Sequence, residues 1–304
     1  MPHAAVQDLD PARTGAAARA AWAAVLIASD LPEILLTLAG AAPPGWLPGA
    51  KLGVLALFAA ASVVWAPLRP LRRFFTVLLA LILALRATQW LGATAWWRDA
   101  FSYEGVSFVR GFAGLYVLDT AVALAVMAAL LWPRRRREEA FLVSGRLDAP
   151  VEPVRWLGVG TGGSWRSFGW IVAVVACLAV AVPTILAMRP APVALVRALA
   201  LLPACALFAA INAFNEEVYY RASFLATLEG VMGRQQLLLL TAVFFGLAHY
   251  LAGSPPGIVG ALMTGFLGWL LAKGMLETRG IGWPWLIHFL ADVVVFYSYA
   301  IQRV

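Results

Sequence analysis

Charged residues are scarce in this chain: Asp, Glu, Lys and Arg make up 13% of its 304 residues. A soluble domain carries roughly a quarter, so an ordinary water-exposed fold is excluded. Cysteine is limited to Cys177 and Cys205, each inside an apolar run. That excludes a disulfide framework and a metal knuckle, and both read as small buried hydrophobes. The commonest zincin signature, His-Glu-x-x-His, is absent. No aromatic–basic module of the kind that binds nucleic acid is present, and no internal repeat is visible. The first fifteen residues are polar and mixed in charge, without a basic start leading to a short apolar core and a small-residue cleavage site. No cleavable signal peptide is therefore expected.

What the chain has instead is apolar length. Hydrophobic residues make up 62% of it, and a spanning helix needs roughly 20 mostly apolar residues. The expected fold class is all-α: a polytopic transmembrane helical bundle of about nine spans. These cover residues 18–41, 52–68, 74–96, 108–132, 168–188, 193–228, 235–252, 258–276 and 283–299. The sixth is longer than a bilayer needs. The longest polar segment divides the chain into an N-terminal four-helix membrane region (1–132), a basic linker (133–167) and a C-terminal bundle (168–304). The linker opens with Arg134–Arg137 followed by Glu138 and Glu139 and includes a glycine-rich run, 158–163. That run precedes no strand–helix unit, so it does not read as a phosphate loop. The net charge of +7 resides largely in alternate connections, at Arg69, Arg72, Arg73, the 134–137 run, Arg234 and Arg279. This reads as contact with anionic lipid and puts the linker and the N-terminus on the cytoplasmic side. With nine spans the C-terminus falls outside.

Charges inside spans are costly, about 2.5–3.5 kcal/mol each near the centre, and usually pair or carry function. Arg86 and Asp119 fall near the middles of adjacent antiparallel spans and are expected to pair. Asp30 and Glu33, one turn apart around Pro32, are expected to line a kink or a cavity.

Three signals lie in the last third. The first is Glu216-Glu217-x-x-x-Arg221, where Glu217 and Arg221 share a helix face in the acid-first order. Glu216 is turned about 100° away, so one carboxylate is braced and the other available. The second is Phe245-Gly246-Leu247-Ala248-His249. The third is His288-Phe289-Leu290-Ala291-Asp292, with His288 and Asp292 on one face. Of the three histidines, His3 lies in the polar tail and the other two inside spans. A carboxylate and a histidine meeting at a water in a dry cavity can perform general-base hydrolysis, with a second histidine donating to the developing oxyanion. The same imidazoles and carboxylates are also an acceptable zinc set. On these spans His249 falls toward the outer end of its helix and His288 toward the inner end of its own. Convergence therefore requires a tilted or broken helix or shifted span boundaries.

Glu-Glu-x-x-x-Arg, Phe-x-x-x-His and His-x-x-x-Asn/Asp, in that order on successive apolar helices, resemble the CPBP family. These are the CAAX prenyl endopeptidases and bacteriocin-processing enzymes, also called the Abi family of intramembrane proteases. The resemblance covers roughly residues 200–295, and spans one to four resemble nothing that can be named. It implies that Glu216 activates water with His249, that His288 and Asp292 hold the oxyanion side, and that Glu217 and Arg221 brace the site. Where the family has Asn at the last position the amide donates a hydrogen bond, but an ionised Asp292 only accepts. It can orient His288, ligate a metal with Glu216, His249 and His288 as the other ligands, or act while protonated. The expected activity is that of a peptidase acting on a membrane-tethered, lipidated, leader or sorting-tail polypeptide in a bacterial plasma membrane. It uses no cofactor, or else zinc, and its partners are that polypeptide and the bilayer, not nucleic acid. The alternative readings are a non-catalytic immunity or scaffold protein of the same fold and a proton-coupled transporter.

Overall fold

The structure, a computed structural model, describes residues 11–102, 105–253 and 255–304. His3 lies outside the described residues. Among them the chain is helical, with no strand. Helices α1 (Pro11–Ala28) and α2 (Leu31–Leu38) form one apolar stretch bent by 57°. The break falls where Pro32, which lacks an N–H, opens α2. There the Ser29 hydroxyl donates to the Leu26 carbonyl and accepts the Leu31 N–H. Next come α3 (Leu47–Val64), α4 (Arg72–Gly92), the short α5 (Ala95–Phe101) and α6 (Phe108–Leu131). Thr94 and Ser107 cap α5 and α6 by accepting the N–H groups of Trp97 and Arg110, which first-turn donors otherwise lack. After a polar segment, α7 (Trp165–Met188) leads to a 37-residue apolar rod, residues 192–228. The rod consists of α8 (Pro192–Ala198), α9 (Leu202–Glu216), a π-helical turn over Glu217–Ala222 and α10 (Ser223–Leu228). The chain closes with α11 (Arg234–Ala248), α12 (Gly257–Thr278) and α13 (Gly282–Ile301).

Among the described residues seven helices are long and apolar enough to cross a bilayer, or eight if the bent α1–α2 pair is counted as one span. The ninth apolar segment, α11, has 15 residues. At 1.5 Å per residue it is about 22 Å long, short of the roughly 30 Å hydrocarbon layer. The chain is a multi-pass membrane helical bundle.

Three buried clusters hold the bundle together. The largest joins α1, α3, α4, α6, α10, α11 and α12 through residues such as Phe74, Phe75, Leu130, Leu225 and Phe244. An aromatic cluster of Phe108, Phe112, Tyr116, Phe208 and Phe296 joins α6, α9 and α13. A third, around Trp165, Leu271 and Trp283, joins α7, α12 and α13. The polar segment before α7 is docked on the bundle through Glu277. This buried carboxylate pairs with Lys273 of its own helix, takes a 2.9 Å bond from Arg234 and a 2.8 Å bond from the Trp165 indole, and accepts the Glu152 N–H.

Helices α11 and α12 cross through small residues, Ala242 and Gly246 against Ala261 and Gly265, a spacing that lets apolar helices approach closely. A Cβ on Gly246 would stand 2.5 Å from the Ala261 carbonyl oxygen, and that oxygen belongs to a rigid helix. Gly246→Ala is therefore expected to force the pair apart and cost about 1–3 kcal/mol, read as a lowered melting temperature in detergent. Substitution of exposed Gly233, where a Cβ meets nothing within 4 Å, is the control and should leave the melting temperature unchanged.

Candidate active site

The acids and histidines of the three motifs come from four elements. Helices α9 and α13 run antiparallel and supply one-turn pairs on facing sides, Asn212 and Glu216 from α9, His288 and Asp292 from α13. The π turn supplies Glu217 and Arg221, and the C-terminal end of α11 supplies Phe245 and His249. Turns of π-helix are rare and concentrate at functional sites; this one begins at Glu217, between the two carboxylates.

His288 is the hub. Its Nδ1 stands 2.9 Å from Glu217 Oε1, and since a carboxylate only accepts, Nδ1–H is the donor. Its Nε2 stands 3.5 Å from Glu216 Oε2 and 3.6 Å from Asp292 Oδ2. Glu217 Oε1 also faces Arg221 Nη1 at 3.3 Å, with both side chains fully buried. The Arg221 guanidinium lies flat over the Phe245 ring, 3.6 Å from its centroid, a favourable place for a desolvated cation. Glu216 differs from Glu217 in exposure: its side chain is 14% exposed and that of Glu217 fully buried, while Oε2 of each accepts no hydrogen bond from any described residue.

His249 caps the end of the short α11. Its Nδ1 lies 2.9 Å from the Phe245 carbonyl and so carries the proton, which leaves Nε2 as an acceptor. His249 and His288 both contact Phe245, with ring centroids 4.4 and 5.9 Å from its own.

Three features differ from the sequence expectation or escape it. Arg86 and Asp119 do not pair. Asp119 accepts from Asn215 at 2.9 Å and from the Tyr219 hydroxyl at 2.9 Å, whereas Arg86 donates to Gln89 one turn along its own helix. The polar groups needed to satisfy a mid-span acid come from the rod beside α6, as neutral donors. Glu33 pairs with buried Lys51 at 2.8 Å, and Lys51 also donates to the Ser29 carbonyl, so this ion pair clamps the α1–α2 bend. The third is Asn212, whose amide donates to Asp292 Oδ2 at 2.8 Å. Its position one turn before Glu216 was a signal available in the sequence.

The spacing of His288 Nε2 from Glu216 and Asp292 is near that between ligands of one tetrahedral ion. Asp292 Oδ2 is, however, already engaged by Asn212, and among the described residues no three His, Cys, Asp or Glu side chains are grouped to hold a metal. Beside the start of α13 a groove of about 860 Å³ opens. Phe214, Trp170, Trp283, Trp285 and Leu286 line it, with Arg166 and Asp148 among its few charged groups.

Residues 198–294 match the family model described as type II CAAX prenyl endopeptidase Rce1-like. The matched stretch is less than half of the chain, and it contains every residue of the cluster just described. No curated protein and no solved structure matches the chain.

Proposed function

We propose that this chain, whose residues 198–294 carry a domain of the CAAX prenyl endopeptidase type, is an intramembrane endopeptidase. Its substrate is a membrane-tethered polypeptide, such as a lipidated tail, a leader or a sorting segment. The observation that carries the reading is the unequal pair of adjacent glutamates. Glu217 is fully buried with its Oε1 held by Arg221 and His288, while Glu216 is partly exposed and turns an Oε2 that accepts no hydrogen bond from a described residue toward the His288 imidazole. A general base needs that combination of a fixed position and a free lone pair.

In this reading Glu216 takes a proton from a water as its oxygen attacks the scissile carbonyl carbon, with the acceptor Nε2 of His249 helping to hold that water. The carbonyl electron pair moves onto oxygen, and His288 at the centre of the cluster stabilises the resulting oxyanion. When the tetrahedral species collapses, the C–N bond breaks and the proton on Glu216 passes to the departing nitrogen. One water is consumed, and a carboxylic acid and an amine are released. Glu217 and Arg221 hold His288 in place. The aromatic groove beside α13 suits an extended apolar segment leading to the scissile bond. The arginine distribution supports a cytoplasmic N-terminus.

The test is cleavage of a panel of lipidated and leader-type peptides by the purified protein in nanodiscs, with and without chelator. Product masses should define one scissile bond, and the rate should be indifferent to chelator. Chelator-sensitive cleavage together with stoichiometric zinc would move Glu216, His249 and His288 into a ligand role and overturn the water mechanism drawn here.

A further inference from the structure

An oxyanion is held best by more than one donor, and at the position beside His288 where related motifs carry Asn or Asp this chain has Asp292. An ionised carboxylate has no proton to give. The amide is present nonetheless, on the facing helix. Asn212 Nδ2 donates one N–H to Asp292 Oδ2 at 2.8 Å. The nitrogen rather than the oxygen must face that carboxylate, because two acceptors would repel. The planar amide then has one N–H fixed by Asp292 and a second N–H with no acceptor among the described residues. Asn212 is only half-buried and lies one turn from Glu216 on the same face of α9. His288 Nε2 stands 3.6 Å from the carboxylate that anchors the amide.

We propose that Asn212 is a further catalytic residue of this site: anchored by Asp292, its second amide N–H donates to the oxyanion of the tetrahedral intermediate. Asp292 is then a positioning residue that orients the amide and faces His288. The donor and the acceptor of this sub-site have been divided between two helices. The assignment rests on the peptidase reading.

The test measures kcat and KM on one cleavable peptide for the wild type, Asn212→Ala, Asn212→Ser, the double variant Asn212→Ala with Asp292→Asn, and Glu216→Gln as a reference. Loss of one oxyanion donor lowers kcat by about 10²–10³-fold, and this is expected for Asn212→Ala with KM changed only a few-fold. Serine can keep the bond to Asp292 but has no second N–H. Asn212→Ser should therefore hold the wild-type melting temperature and still lose kcat to a similar extent. The double variant returns an amide at position 292, and its kcat should rise about tenfold or more above Asn212→Ala. A rescue of this kind cannot come from an unfolded chain. Wild-type kcat in Asn212→Ser, or a double variant as slow as Asn212→Ala at an unchanged melting temperature, overturns the assignment. A wild type stopped by Glu216→Gln but indifferent to position 212 overturns it alone and leaves the peptidase reading standing. A wild type that cleaves no member of the panel overturns both.

Discussion

Glu216→Gln is expected to abolish peptide cleavage while leaving the fold intact. Glutamine has nearly the same shape, and the Glu216 Oε2 atom accepts no hydrogen bond from a described residue, so little packing or pairing is lost. The amide cannot take a proton from water, and general-base catalysis is worth about 10²–10⁴ in rate. Turnover should fall by that factor with little change in KM or melting temperature. Glu217→Gln should behave differently. It weakens the hold on both Arg221 and His288 and should lower stability and turnover together. A non-catalytic scaffold of the same fold would tolerate Glu216→Gln in a cellular assay, so the same variant separates the two functional classes.

Arg221→Met is expected to be among the most destabilising single changes in the chain. Glu217 and Arg221 are both fully buried, and removing one partner of a buried ion pair costs about 3–5 kcal/mol because the other charge is stranded. The loss should appear as a lowered denaturation midpoint in detergent. Arg221→Lys keeps the charge but not the flat guanidinium that lies on Phe245, so its loss should be smaller yet clear. Combining Arg221→Met with Glu217→Gln removes the stranded charge. The double variant should be more stable than Arg221→Met alone, although His288 has lost its anchor and activity should not return. A double variant as unstable as the single would show that the cost lies in shape rather than charge.

Helix spacing was the part of this protein most legible in its sequence. The apolar runs mark the candidate spans, and the four-residue spacing of Glu217 and Arg221 corresponds to a 3.3 Å contact. Pro32 marks the bend between α1 and α2. Other features depend on tertiary context that spacing does not encode. The π turn over Glu217–Ala222 is a shift of hydrogen-bond register within a run that reads as continuous helix. The Arg86–Asp119 expectation followed from opposite charges on neighbouring spans. Asp119 is instead satisfied by an amide and a phenol from the rod, groups that charge counting passes over. Lys51 lies just outside the second expected span, so its ion pair with Glu33 was not anticipated. Asn212 is a neutral residue in an apolar run, and only the facing Asp292 gives it a role.

The central claim is that Glu216 activates a water for peptide hydrolysis. The most direct measurement is a pair of time courses, wild type and Glu216→Gln, on the same membrane-tethered peptides in nanodiscs, with products identified by mass and both proteins checked for equal melting temperatures. The account predicts discrete products from the wild type and background levels from the variant. Equal products from both proteins, or none from the wild type across the panel, would contradict it.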